Sequence, residues 1–171
     1  FDLAKRLNAS AMSKGVTLSF QSLDGETMNL IKRSNIKTDD FAELIKLYRR
    51  EGIPTYTELI MGLPGETYRS FVAGIDKLLD AGQHDGLNIY MCAVLPNSEM
   101  GDPDYIKVNG IESVKIPVLL LHSTPAQDSI VEYNEIVVAT KAMPREDWKR
   151  TYLFSWAIQC FHCLGLTQSL A

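Results

Sequence analysis

Apolar and polar positions along the chain switch repeatedly between the 3.6-residue recurrence of a helix and the two-residue alternation of a strand. Residues 3–13 carry a helical pattern that ends at Gly15, and residues 16–22 then alternate as a strand. A turn at Asp24 and Gly25 leads into a short helix reaching Lys32. Thr38 offers a cap for the next helix, and Asp39 and Asp40 suit its positive N-terminal end. Phe41, Leu44, Ile45 and Tyr48 form its apolar stripe, and Arg49, Arg50 and Gly52 close it. Residues 55–61 read as a second strand, and residues 67–81 as a long helix burying Phe71, Ile75, Leu78 and Leu79. Residues 86–95 read as a third strand. Residues 96–110, with two prolines and two glycines, predict a loop or lid. Beyond them, residues 116–122 and 131–140 are strand-like, the first equally readable as a short buried helix. Pro144 opens a final helix on which Trp148, Tyr152, Trp156 and Cys160 recur every four residues.

Strands alternating with long helices predict an α/β fold around a parallel sheet. Leu18 and Phe20 alternate with Thr17, Ser19 and Gln21; Leu59 and Met61 with Tyr56, Glu58 and Ile60; Leu87, Ile89 and Met91 with Asn88, Tyr90 and Cys92. Covering helices need an apolar face, so the apolar sets should face them and the polar sets the other way. A closed barrel interior is normally packed with Val, Ile and Leu, whereas Gln21, Glu58, Asn88 and Tyr90 suit a wet or ligand-filled lumen. The pattern predicts a partial barrel with one shared site inside; an open sheet with a solvated second face is the alternative. The turn Gly62-Leu63-Pro64-Gly65-Glu66-Thr67 follows the second strand at the end where parallel sheets bind ligands. Its glycines would let backbone approach a ligand, and amides at the following helix start would suit an anionic or polar group.

The chain has 171 residues, 46% of them hydrophobic, and a net charge of -4, which suits one globular domain with a sizeable core. No basic cluster goes beyond short pairs such as Lys32-Arg33 and Arg49-Arg50, giving no footprint for nucleic acid. No run approaches the roughly 18 apolar residues that cross a bilayer, so membrane insertion is not expected. Three cysteines, Cys92, Cys160 and Cys163, make no disulfide framework and fit a reducing, cytoplasmic setting. Cys160-Phe161-His162-Cys163 brings two thiols within one helical turn, but nothing nearby completes a four-ligand zinc site, so no metal is expected on this chain. His84 and His122 lack a positioned partner, and Ser22, Ser123 and Ser129 lack a nucleophile-elbow context, which disfavours a hydrolase triad. Glu58, predicted to face the lumen, should meet a cation or a polar ligand, because a lone buried charge is costly.

Residues 58–67, Glu-Leu-Ile-Met-Gly-Leu-Pro-Gly-Glu-Thr, resemble the fifth-strand signature of radical S-adenosylmethionine (SAM) enzymes. Ser19-Phe20-Gln21-Ser22 followed by Ile31-Lys32-Arg33-Ser34-Asn35 resembles their fourth-strand segment, and residues 90–98, with Leu95-Pro96-Asn97, resemble the sixth strand. That resemblance covers residues 16–98 and implies the C-terminal half of a (β/α)6 partial barrel at residues 1–98, with a family-specific extension at 99–171. It further implies that Gln21 and Ser22 lie near the SAM ribose and that Arg33 faces its carboxylate. Gly62, Leu63, Pro64, Gly65 and Glu66 would shape the pocket, the backbone of the sixth strand would meet the adenine, and Glu58 and Tyr90 would line the lumen. Residues 132–140 and Arg145-Glu146-Asp147-Trp148 resemble the tail of members that carry a cobalamin-binding domain upstream.

Members of this family hold a [4Fe-4S] cluster on three thiolates of a CxxxCxxC loop, and no such loop exists here. The resemblance therefore implies a parent enzyme that reductively cleaves SAM for radical or methyl-transfer chemistry, and a fragment that is inactive by itself. The implied partners are a small-molecule substrate and the N-terminal half of the same barrel. Two other classes of function stay open on the residues: a non-enzymatic α/β binding or scaffold domain, and a carboxylate-dependent barrel hydrolase or lyase using Glu58 and Glu66. Exposed sheet edges would also favour self-association of a half-barrel.

Overall fold

Three parallel strands, β1 (Val16–Thr17), β2 (Thr55–Met61) and β3 (Leu87–Met91), lie side by side in that order in the computed structural model, which describes residues 1–10, 12, 15–118 and 130–166. The first strand continues its pairing past Thr17: the Leu18 and Phe20 amides donate to Tyr56 O and Glu58 O, and Ile60 N donates to Gln21 O at 2.8 Å. Gln21 then turns the chain out of the sheet with φ at 65°.

Thr55, Thr57, Leu59 and Met61 of β2 are buried, and Tyr56, Glu58 and Ile60 are half-buried. The helix α1 (Asp2–Ala9) precedes β1, α2 (Gly25–Leu30) and α3 (Thr38–Arg50) link β1 to β2, and α4 (Tyr68–Asp80) links β2 to β3. Phe20, Leu59, Met61 and Leu87 pack with Phe41 and Ile45 of α3 and with Phe71, Ile75 and Leu78 of α4. Leu18, Phe20, Leu59, Met61, Leu87 and Ile89 of the apolar sets therefore face the helices, as their alternation predicts, whereas Met91 at the end of β3 is partly exposed and lines the cleft end instead. Phe20 and Phe41 meet edge to face with ring centroids 4.7 Å apart.

Beyond β3 the chain changes partner. Cys92 N still donates to Met61 O, but Val137 N donates to Cys92 O and Val94 N to Glu135 O, so the strand passes into antiparallel pairing. After a 3₁₀ turn (Glu99–Gly101) and α5 (Pro103–Asn109), β4 (Glu112–Pro117) and β5 (Tyr133–Ala139) form an antiparallel ribbon. Leu63, Cys92, Val94, Ile111 and Val137 make a second core beneath this junction. The helix α6 (Arg145–Ala157) then runs into a π-helical segment (Ile158–Cys163).

Several sequence expectations are corrected. Residues 96–110 are not a plain loop: Asp102 caps α5 through the Asp104 and Tyr105 amides, Pro103 opens it, and Gly110 ends it at φ 58°. Thr38 is the first residue of α3 rather than a side-chain cap. The stripe on α6 is not its buried face, because Tyr152 and Trp156 are exposed while Thr151 and Ser155 are buried. Those two hydroxyls donate to Asp147 O and Thr151 O, which satisfies them within the helix and leaves a small-residue face for close packing. Parts of the patterns at residues 3–13 and 116–122, with His122, Ser123 and Ser129, lie outside the described residues.

Phe41 is fully buried against Phe20, so Phe41→Ala should lower unfolding stability by about 3–5 kcal/mol in urea titrations. A loss below about 1 kcal/mol would show that this ring pair is not the centre of the core.

Candidate functional site at the C-terminal ends of the parallel strands

A cleft of about 470 Å³ opens where the three parallel strands end, within the size range of small-molecule sites. Gln21 reaches it from the first strand, Ile60 and Leu63 from the end of β2 and its turn, and Met91, Cys92 and Ala93 from the end of β3. Its outer wall is Ile31 and Arg33 after α2, facing Ser98, Glu99, Met100 and Tyr105 of the 3₁₀ turn and α5. Two contacts cross between those outer elements: Lys32 Nζ pairs with Glu99 at 2.5 Å, and Tyr105 OH donates to Leu30 O. Both charges of that pair are well exposed, so it guides the approach of the elements more than it stabilises them.

The predicted site residues divide among three environments. Gln21, Arg33 and Leu63 line the cleft, and Arg33 forms no ion pair among the described residues. Ser22 and Glu66 lie behind the wall: Ser22 Oγ donates to Glu66 Oε1 at 2.5 Å, and both side chains are almost fully buried. Glu58 and Tyr90 line a separate cleft of about 730 Å³, lower on the same face of the sheet, with Tyr56, Asp85 and Asn88. There Ser19 Oγ donates to Glu58 Oε2 and Tyr90 OH to Glu58 Oε1, so two hydroxyls rather than a cation solvate that carboxylate. The single cavity expected from the three strands is thus two clefts, and Glu58 and Glu66 do not share either one. A paired-carboxylate mechanism has no geometry here.

The glycines of the turn serve packing. Gly62 and Gly65 both have φ near 86°; a Cβ at Gly62 would come within 3.3 Å of Trp148 Nε1, and one at Gly65 within 2.6 Å of Leu30 Cδ1. Pro64 is buried in the same turn. The start of α4 is closed by its own side chains, Thr67 and Ser70 forming a reciprocal capping box. The Thr67 and Ser70 amides are thereby satisfied within the helix start.

Burial dominates the electrostatics. Glu66 is pushed up to about 8 by desolvation, against the opposing hydrogen bond from Ser22 and with a smaller push from Asp24. Among the described residues its Oε2 has no hydrogen-bond partner. Burial, with help from Glu66, pushes the Cys92 thiol up to about 12, and its sulfur contacts Met100 Sδ. Cys92 is therefore a packing residue and a poor thiolate ligand. Burial also raises Cys163, and among the described residues no group of three or more His, Cys, Asp or Glu is placed to hold a metal ion. The chain has no other cysteines than Cys92, Cys160 and Cys163, so its residues do not fit an iron-sulfur cluster.

No family model matches the chain. It is 40% identical over 163 residues to the cobalamin-dependent radical SAM methyltransferase TokK of Streptomyces tokunonensis, a match covering 95% of this chain and 24% of that protein. It is 37% identical, with the same coverage, to 2-(S-pantetheinyl)-carbapenam-3-carboxylate methyltransferase of Streptantibioticus cattleyicolor. The chain belongs to the radical SAM superfamily. It spans about a quarter of the length of these relatives. Among solved structures, the radical SAM methyltransferase TsrM of Kitasatospora setae, with cobalamin and a [4Fe-4S] cluster bound, superposes with a TM-score of 0.57 at 20% identity. That superposition covers 90% of this chain and 33% of TsrM, and it establishes likeness of fold.

In this radical SAM chain, sequence reasoning missed the far wall of the cleft, Met100 and Tyr105 above all. The signal was present in Asp102-Pro103 and Gly110, a cap, a first-turn proline and a left-handed stop that together spell a short helix. Leu30 and Ile31 were missed because nothing in their own pattern says that α2 leans over the end of the sheet.

Because the folded value of Glu66 lies above its ordinary 4.5, the contribution of this group is fully present below about pH 4.5 and is lost as pH rises through about 8. Glu66→Gln removes that titration while keeping the shape. The stability difference between the Gln variant and the natural chain should therefore move in favour of the variant from about pH 4.5 to 8 and then level off, in urea titrations across that range. A difference independent of pH would mean that Glu66 is ionised in the fold.

Proposed function

We propose that the 470 Å³ cleft is the SAM-facing wall of a cobalamin-dependent radical SAM methyltransferase, and that the rest of the parent polypeptide closes a partial (β/α)6 barrel over it. The observation that carries this reading is a ligand-sized cleft at the ends of three parallel strands, with an unpaired guanidinium at its mouth, in a radical SAM chain. Its walls fit SAM in kind. Ile31, Ile60, Leu63 and Leu95 offer apolar surface for a purine and a thioether, Gln21 offers an amide for ribose hydroxyls, and Arg33 offers a planar cation for a carboxylate. When bound, SAM with a reduced cluster and cobalamin supply one-electron and methyl-transfer chemistry. The work of this chain is to bind, to orient and to keep water out. Ile60 and Leu63 exclude water from the inner wall, Arg33 anchors the charged end of the ligand, and buried Glu66 with Ser22 holds the two strand ends in register.

The thiolates for the cluster belong, in this reading, to a part of the parent outside these 171 residues, so the isolated chain is inactive. Incubated with SAM and a strong reductant, it should produce no 5'-deoxyadenosine or methylated product; sustained product formation would overturn that assignment.

In the parent protein, Arg33→Ala should weaken SAM binding about tenfold, the worth of roughly 1.5 kcal/mol for one charge-assisted hydrogen bond. Arg33→Lys should lose part of this, because it keeps the charge without the fork. Equilibrium dialysis with labelled SAM checks both, and unchanged binding in Arg33→Ala would remove this residue from the site.

A further inference from the structure

Away from the cleft, two imidazoles from distant parts of the chain meet at the surface. His84 lies in the loop between α4 and β3, and His162 lies in the π-helical segment. Nδ1 of His84 and Nε2 of His162 are 3.1 Å apart, with the rings tilted by 58° and their centroids 5.2 Å apart. Both side chains are exposed.

That separation suits a shared metal ion as well as a hydrogen bond. Two metal–nitrogen bonds of about 2.0–2.1 Å put their nitrogens about 3.4 Å apart at a tetrahedral angle, and about 2.9 Å apart at the right angle of a tetragonal centre. The observed 3.1 Å lies between those limits, so the spacing of the two nitrogens already matches that of a pair bridged by one ion. We propose that His84 and His162 form a two-histidine site for a divalent transition metal of the class that prefers imidazole, Zn2+, Ni2+ or Cu2+, with water completing its shell.

Neighbouring groups are otherwise engaged. The Asp85 carboxylate accepts from the Thr55 amide and hydroxyl. No third ligand is placed among the described residues, so the site is open and weaker than a four-ligand structural zinc.

The position of the site decides what the ion would do. His162 belongs to the segment that covers the free edge of β3, where Gln159 Nε2 donates to Leu87 O at 3.0 Å. An ion joining His162 to His84, three residues before Leu87, would staple this cover onto the start of β3. Metal occupancy is then coupled to protection of an otherwise unpaired strand edge.

The test is calorimetric titration of the full-length parent protein with Ni2+ and with Zn2+ alone, beside hydrogen exchange of residues 158–163. The expected result is one binding event that weakens at least tenfold in both His84→Ala and His162→Ala and persists in Cys163→Ser. Exchange in the segment should slow on adding metal in the natural protein and not in either histidine variant. Identical isotherms for the natural protein and both histidine variants would reduce the pair to an imidazole–imidazole hydrogen bond only. Loss of binding in Cys163→Ser with both histidine variants unaffected would assign the metal to a thiolate. Either result overturns the proposal.

Discussion

The hydrogen bond from Ser22 to Glu66 joins two loops that are far apart in the chain and adjacent at the C-terminal end of the sheet. An acid buried this deeply is tolerable only if it is neutral or well solvated by donors, and here one donor and a raised proton affinity share that task. Ser22 also accepts from Asp24 N, and its carbonyl accepts from Asn35 Nδ2 at 2.6 Å, so one residue pins both ends of the α2 excursion. Asp24 in turn caps α2 through the Thr27 amide and hydroxyl. From α2, Leu30 fills the space left by Gly65, and the chain that leaves the helix carries Ile31 and Arg33 to the cleft. Loosening the buried acid would therefore displace the outer wall although Glu66 itself does not line the cleft.

The opposite wall depends on a second event, the departure of the third strand from β2. Once Cys92 has used the Met61 carbonyl, the strand turns to β5, and Val94 and Val137 join Leu63 in a separate core. That core supports α5, which presents Tyr105 across the cleft toward Leu30. The cleft is thus bounded on one side by residues near position 30 and on the other by residues near position 100, and the parallel sheet supplies only its floor. The polar face of the strands, with Tyr56, Glu58 and Asn88, remains open as the second cleft.

The C-terminal segment has a different task. On α6 and the π-helical segment Tyr152, Trp156 and Phe161 are exposed, Trp156 edge-on to Phe161, while Trp148, stacked on Tyr152, and Phe154 pack against the main core beside the buried hydroxyls of Thr151 and Ser155. The segment ends across the edge of β3, where the Gln159 side-chain amide donates to Leu87 O in place of a neighbouring strand. The same residues bring the two histidines together, so covering the edge and assembling that pair are one structural act.

The order of strands and helices as far as β3, the parallel sheet, the helix-facing sets Phe20, Leu59, Met61 and Leu87, and the superfamily were legible in the residues. Each depends on local periodicity or on a contiguous motif, and both are properties of neighbours in sequence. Gln21, Arg33 and Leu63 were legible as cleft residues for the same reason. The split of the polar face into two clefts, the withdrawal of Ser22 and Glu66 behind the wall, and the inward turn of Thr151 and Ser155 were not. Those depend on which side chain from a distant element fills a given volume: Leu30 against Gly65, Trp148 against Gly62, Tyr105 opposite Leu30. Periodicity says which face of an element is buried, but only packing between elements far apart in the chain decides what that face meets.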